Sequence, residues 1–160
     1  MAQRHFYLEE RFKHQVKVPR EVLRLMRHEI ERKRMCRIDE TTDVSPWFSA
    51  ARIDLGGRDK SLILASDQEC LNGVDNNWFW VFLKRQKRYR MVLTGGTLSI
   101  DVIRSTSSRL RNIETNVATA STNYTNVYKF NGSAYMAHRC SETALFPDNQ
   151  KPKRVSCRSQ

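Results

Sequence analysis

The side chains able to do chemistry fall into four groups: four cysteines, four histidines, a scatter of carboxylates and a large excess of cations. The cysteines are Cys36, Cys70, Cys140 and Cys157, and none forms the close Cys-x-x-Cys pair of a zinc module. An even count of widely spaced thiols fits two structural disulfides in an exported protein, with three connectivities open. Cys157 lies in a polar tail where a free thiol would be exposed and reactive, so all four are disulfide candidates. The bridge expected first ties the last strand, through Cys140, to Cys36 or Cys70. The histidines, His5, His14, His28 and His138, show neither His-x-x-x-His nor His-Glu-x-x-His spacing, so the sequence indicates no metal and no cofactor.

Catalytic patterns are missing from the sequence too. There is no Gly-x-Ser-x-Gly elbow, and Gly95-Gly96 lacks the lysine and helix of a phosphate-cradling loop. Paired carboxylates need be close only in space, and Asp54, Asp101 and Glu114 all fall on predicted strands that a fold can bring together. The expectation is a protein that binds and does not catalyse.

Cations are the strongest signal. The formal net charge is +11, and residues 1–37 carry 11 Lys/Arg against five Asp/Glu. A second concentration runs Lys84-Arg85-Gln86-Lys87-Arg88-Tyr89-Arg90, five cations and a tyrosine on one predicted turn. Such an excess implies an acidic partner: nucleic acid, anionic lipid or glycan, or an acidic protein. The competing readings are a solubilising surface and a charged guard beside an aggregation-prone strand. The candidate binding residues are Arg20, Arg24, Arg27, Lys84, Arg85, Lys87, Arg88 and Arg90.

These groups must be positioned by elements that the periodicity locates. Residues 1–18 read as a flexible basic arm. Pro19 suits a first helical position, and Val22, Leu25, Met26 and Ile30 recur at helical spacing opposite Arg20, Arg24 and Arg27, which predicts an amphipathic helix over 19–35 packed on a sheet. Glu29 and Lys33 stand four residues apart, a supporting ion pair. After Ser45-Pro46 the period changes to alternation. Strands are expected over 47–55, 61–65, 78–84, 89–93, 98–103, 113–119, 127–130 and 134–138, with a loop over 67–77. Tight turns are expected at Gly56-Gly57 and Gly95-Gly96, a basic hairpin over 84–88, and a hairpin closed by Asn131-Gly132. Trp78-Phe-Trp-Val-Phe is the most apolar stretch and must be a central strand buried on both faces. The fold class is α+β: a helix packed on a largely antiparallel sheet of about seven hairpin-connected strands, in a single domain over 19–140, with an irregular tail over 141–160.

The pattern Phe48-Ser-Ala-Ala-Arg-Ile-Asp54-Leu, Cys70-Leu-x-Gly followed by Trp78-Phe-Trp-Val-Phe, and Tyr128-x-Phe-Asn-Gly-x-x-Tyr135 with Cys140 resembles a family of small exported bacterial α+β proteins. The resemblance covers roughly residues 18–140. It implies a periplasmic or secreted location and a β-rich fold, and it carries no known activity. In that family the first hairpin often has a calcium-type loop, whereas here Asp54-Leu-Gly-Gly-Arg-Asp59 lacks the middle oxygen ligands and reads as a plain turn. Residues 1–5 contain no apolar leader core, and the expectation is export with the leader removed. No apolar run approaches the ~20 residues of a membrane-spanning helix.

The function these features favour is that of an envelope binding or accessory protein (an inhibitor, an immunity-type protein or an assembly subunit) that engages an acidic protein or envelope polyanion. The alternative is a nucleic-acid-binding module using the basic arm, the helix and the 84–90 hairpin.

Overall fold

A computed structural model describes residues 3–72, 76–148 and 150–157. The middle of the predicted 67–77 loop, residues 73–75, lies outside the described residues, as do the first two residues of the sequence. Strands β1 (His5–Tyr7), β2 (Phe48–Arg52), β3 (Lys60–Ser66), β4 (Asn77–Arg85), β5 (Arg88–Thr97), β6 (Ser99–Ser107), β7 (Leu110–Ala118), β8 (Thr122–Phe130), β9 (Tyr135–Ala144) and β10 (Lys153–Val155) accompany one α-helix, α1 (Arg20–Lys33). All strand pairs are antiparallel, in a four-stranded sheet ordered β2-β3-β4-β5 and a six-stranded sheet ordered β1-β6-β7-β8-β9-β10. The mostly β architecture with one helix follows the sequence reading. The single sheet does not, because the strands divide between two.

The alternation along β4 explains the layering. Trp80 and Phe82 face one way with Leu62 and Leu64 of β3, and against them pack Val22, Met26 and Ile30 of α1. Phe79, Val81 and Leu83 face the other way with Ile63, against Ile100, Ile113 and Phe130 of the six-stranded sheet. The four-stranded sheet is therefore the middle layer, with the helix on one side and the larger sheet on the other. Its central strands must be apolar on both faces, as they are.

Helix α1 starts one residue after Pro19 and ends at Arg34, which takes a left-handed conformation (φ 52°) while Met35 N–H closes the last turn on the Ile30 carbonyl. Val22, Met26 and Ile30 are completely buried, but Leu25 is exposed. The apolar face is centred on positions 22, 26, 29 and 30, so at 100° per residue Leu25 lies about a quarter-turn off its axis. Glu29 occupies the edge of the stripe and is held by Lys33 at 2.6 Å and Arg32 at 2.8 Å. Burial raises the Glu29 carboxyl pKa, but hydrogen bonds and charge from Lys33 and Arg32 outweigh it and leave the pKa lowered.

Further expectations fail for identifiable reasons. Gly95 and Gly96 do not turn the chain; they lie inside β5, and the chain passes from one sheet to the other at Leu98. Gly96 pairs with Trp78, and a Cβ there would come within 3.3 Å of the indole ring. The glycine makes room for an aromatic neighbour, while the Trp78 Nε1–H donates to Thr94 Oγ1 at 2.9 Å.

The basic arm is fixed. β1 pairs with β6, Leu8 N–H donates to the Leu98 carbonyl, and Val16 N–H donates to the Ala50 carbonyl on the edge of β2. Phe6, Leu8 and Phe12 are buried in the core between the sheets, each worth about 1.5–3 kcal/mol of apolar burial. Alternation in Phe6-Tyr7-Leu8 is too short to stand out among the cations around it. The tail, too, is partly regular: β9 runs to Ala144 and β10 adds to its edge opposite Cys140, Ser141 and Glu142.

The disulfides are Cys36–Cys70 and Cys140–Cys157, and no free cysteine remains. Cys140 thus closes on the tail, not on Cys36 or Cys70. The first bridge staples the segment after α1 to the short 3-10 turn Glu69–Leu71 between β3 and β4; the second locks β10 onto β9. Peptide mapping without reductant should recover these two linked pairs, and denaturation without reductant should release no titratable thiol. Met26→Ala should destabilise the protein by about 2–5 kcal/mol, whereas Leu25→Ala should cost less than about 1 kcal/mol in the same denaturation measurement.

Candidate functional site

In antiparallel meanders alternate turns fall at the same end, and here four of them meet: the β2–β3 loop, the β4–β5 and β6–β7 turns, and the β8–β9 turn. The β4–β5 turn is Gln86-Lys87 (φ 46° and 67°) and the β6–β7 turn is Ser108-Arg109 (φ 47° and 73°). Both central residues of each turn have positive φ, matching the right-handed twist of the strands they join. Neither turn uses glycine, so each sets an exposed long cation in a backbone region that L-residues seldom occupy. Asn131 closes the fourth turn as expected, its Oδ1 accepting from the Ser133 and Ala134 N–H groups.

Between these turns lies a cleft of about 1170 Å³. Arg58 reaches it from the β2–β3 loop, Arg85, Arg88 and Arg90 from β4 and β5, and Arg109 from the β6–β7 turn. Asp59 is the one carboxylate in its lining among the described residues, and it is already engaged by Arg85 Nε at 3.1 Å. Arg58, Arg88, Arg90 and Arg109 are exposed and pair with no carboxylate among the described residues. Four guanidinium groups facing one concavity without counter-charges form a field that attracts polyanions, and their planar forks match carboxylate, phosphate and sulfate oxygens.

The sequence-predicted cations divide on this geometry. Arg88 and Arg90 line the cleft. Arg85 lines it as well but is held in place: its Nη1 donates to the Gly132 carbonyl at 3.1 Å, and its guanidinium lies over the Phe130 ring. Lys84 lies on the other side of the hairpin, over the Tyr89 ring, where it lines a second cleft of about 350 Å³ with Lys17, Arg52 and Lys60. Lys87 is exposed at the tip and lines neither of these clefts. Arg20 and Arg24 are exposed on α1 and line neither cleft. Arg27 is spent on structure: it binds the Thr42 carbonyl at 2.7 Å, the Asp39 carbonyl, and Glu31 at 3.1 Å. Arg58 and Arg109 were missed by the sequence reading. Each sits beside a turn signal, Gly56-Gly57 and Ser107-Ser108, and only the sheet order brings those turns to the 84–90 hairpin.

The carboxylates do not assemble into one site. Asp101 and Glu114 are direct cross-strand partners on β6 and β7, and Asp101 is hydrogen-bonded to His5 Nδ1. Asp54 stands apart, held by Arg4 Nε at 2.8 Å and Arg111 Nη1 at 2.5 Å, while the Gly56 N–H donates to it at 3.1 Å. It therefore joins the N-terminal segment, the first hairpin and β7 at the cleft end, and its oxygens serve arginines. Tryptophan placement is equally structural: Trp80 is fully buried under α1, and Trp47 and Trp78 are half-buried against the same cluster.

No family model, curated protein or solved structure matches this chain.

Burial raises the pKa of Asp54, but hydrogen bonds from Arg4 and Gly56 and the bond and charge of Arg111 outweigh it and leave the pKa lowered. A carboxyl with a depressed folded pKa stabilises fully above its ordinary value of 3.8, and the contribution is lost as pH falls through the depressed value. Asp54→Asn should therefore lower the melting temperature at neutral pH, and the gap from the parent should close on acidification below the ordinary aspartate range.

Proposed function

We propose that this chain is a non-enzymatic binding protein of an oxidising compartment and that its arginine cleft seats an acidic partner, either an acidic protein segment or an envelope polyanion. The observation that carries the reading is the convergence of Arg58, Arg88, Arg90 and Arg109, from three separate turns, on one concavity whose one carboxylate among the described residues, Asp59, is bound by Arg85. Charge placed only for solubility is best spread over a surface with both signs interspersed. Here the sheet topology gathers it.

Two disulfides with no free thiol support an oxidising compartment, periplasmic or extracellular, in keeping with the resemblance to exported proteins. A nucleic acid is the less favoured partner. Single-stranded binding grooves combine cations with aromatic platforms for the bases. Among the described residues Tyr89 is the one aromatic lining this cleft, and Lys84 sits over its ring. An acidic partner asks only for the charge.

The test is binding of a sulfated oligosaccharide, a poly-glutamate peptide and a single-stranded oligonucleotide of matched charge across a salt series. Affinity for an acidic ligand should fall more than about tenfold between ~0.05 and ~0.2 M salt, as a few released counterions require. Replacing Arg88, Arg90 and Arg109 together by Ser should abolish most of the binding and leave the melting temperature unchanged. Arg85 is left out of that set because its bonds to Asp59 and Gly132 make it part of the fold. Salt-independent binding, or a triple variant that binds as the parent does, would remove the cleft as the recognition surface. A clear preference for the oligonucleotide would favour the nucleic-acid reading.

A further inference from the structure

The alternation that buries the middle sheet on both faces also makes its turn end cationic on both. Lys84 continues the face of Trp80 and Phe82, toward the helix, whereas Arg85 continues that of Leu83, toward the larger sheet. On the helix side Lys84 lies directly opposite Lys60 of β3, and Arg52 of β2 lies opposite Leu62. With Lys17, from the segment before α1, these cations line the smaller cleft of about 350 Å³. None of the four forms an ion pair among the described residues. The carboxylates around them are engaged: Asp54 holds Arg4 and Arg111, Asp59 holds Arg85, and Glu21 accepts the Tyr89 N–H at 3.1 Å. Only Glu21 is left to set a negative charge against four positive ones.

The facing of Lys60 and Lys84 is a poor arrangement for stability, because like charges directly opposite on neighbouring strands repel. An acid at either position would serve the sheet better; a surface that binds anions uses both lysines. Gly57, Asp59 and Tyr89 line this cleft and the arginine cleft alike, so the two adjoin at the end of the middle sheet. From Arg52 on β2 to Arg88 on β5 there are three strand spacings, ~14 Å, and Arg109 stands on the second sheet, ~10 Å beyond. An extended peptide rises ~3.3 Å per residue, so about seven or eight residues follow that path. Between the cations the lining is apolar, with Leu55 and Leu62 in the smaller cleft and Leu83 and Val92 in the larger.

We infer that the two clefts are halves of one site for an extended acidic polypeptide segment in which carboxylates alternate with apolar side chains. This rests on the reading of the arginine cleft as the seat of an acidic partner. The path bends from one face of a sheet to the other, which a stiff nucleic-acid duplex does not follow. A densely sulfated or phosphorylated chain meets the cations but brings nothing apolar to the lining between them. A peptide supplies both, and its backbone turns freely enough to pass from one cleft to the next.

The experiment titrates the full disulfide-bonded chain with end-capped Glu-Leu repeat peptides of about four and about ten residues, one too short and one long enough to span both clefts. A sulfated oligosaccharide and a single-stranded oligonucleotide, matched in charge to the long peptide, complete the set. The long peptide should bind at least about tenfold more tightly than the short one, because its second half binds as a tethered ligand. Replacing Lys17, Arg52 and Lys60 together by Ser should bring the long peptide close to the short one, leave the short one nearly unchanged and keep the melting temperature. Replacing Arg24, Arg104 and Arg139, which are exposed and line neither cleft, removes the same charge and should change the ratio of the two affinities little. Four results would each overturn the joint site: equal affinity for the two peptides, a Lys17, Arg52 and Lys60 variant that binds the long peptide as the parent does, an equal loss in the charge-matched control, or tighter binding of the oligosaccharide or oligonucleotide than of the long peptide. The arginine cleft is judged separately: if replacing Arg88, Arg90 and Arg109 weakens neither peptide, the earlier reading falls and the joint site with it.

Discussion

Strand β4 is apolar on both faces, and the rest of the architecture answers that constraint. One face needs a cover and receives the helix; the other needs a second and receives a whole sheet. Without α1, Trp80 and Phe82 would stand in water, and without the six-stranded sheet so would Phe79, Val81 and Leu83. The Cys36–Cys70 bridge serves the same end, because it ties the helical cover to the connection between β3 and β4. Edge strands receive comparable treatment. The N-terminal segment pairs with β6 of one sheet and touches β2 of the other, while β10 covers part of β9.

The arginine cleft follows from the same layering. Because β2–β5 and β6–β9 are meanders, their turns collect at the two ends of the stack, and the cationic turns share one of them. Asp54 and Asp59 neutralise Arg4, Arg111 and Arg85, which keeps that end folded under its own repulsion and leaves four arginines unspent.

Local signals in the sequence were reliable where one residue pattern decides one structure. The helix from Arg20, the Asn131-Gly132 hairpin, the two-sided burial of Trp78-Phe-Trp-Val-Phe and the Glu29–Lys33 pair are all legible without coordinates. What was illegible depends on distant pairing. Gly95-Gly96 looks like a turn until Trp78 is placed across from Gly96, and Leu25 looks like core until the axis of the buried stripe is known. The Cys140 partner follows from the position of β10, which has only three residues. Of the cations the sequence offered as equals, Arg85, Arg88 and Arg90 line the arginine cleft, whereas Arg20, Arg24, Arg27, Lys84 and Lys87 do not. Facing direction separates them, and Arg58 and Arg109 join only once the turns are known to share an end.

The fixed N-terminal segment also sets an order of events. Its strand pairs with β6, and the His5–Asp101 contact spans 96 residues of chain. A chain made from N- to C-terminus leaves Phe6, Leu8 and Phe12 without their core until β6 has followed, so this segment finds its place late. Pairings this distant are slow to form, because the loop they close must be ordered before any contact offsets the lost entropy. During that interval three large apolar side chains remain open to solvent beside unpaired strands, a state prone to aggregation. The cations interspersed among them, Arg4, Arg11, Lys13 and Lys17, are charged guards of the kind that keeps apolar segments soluble before they are buried.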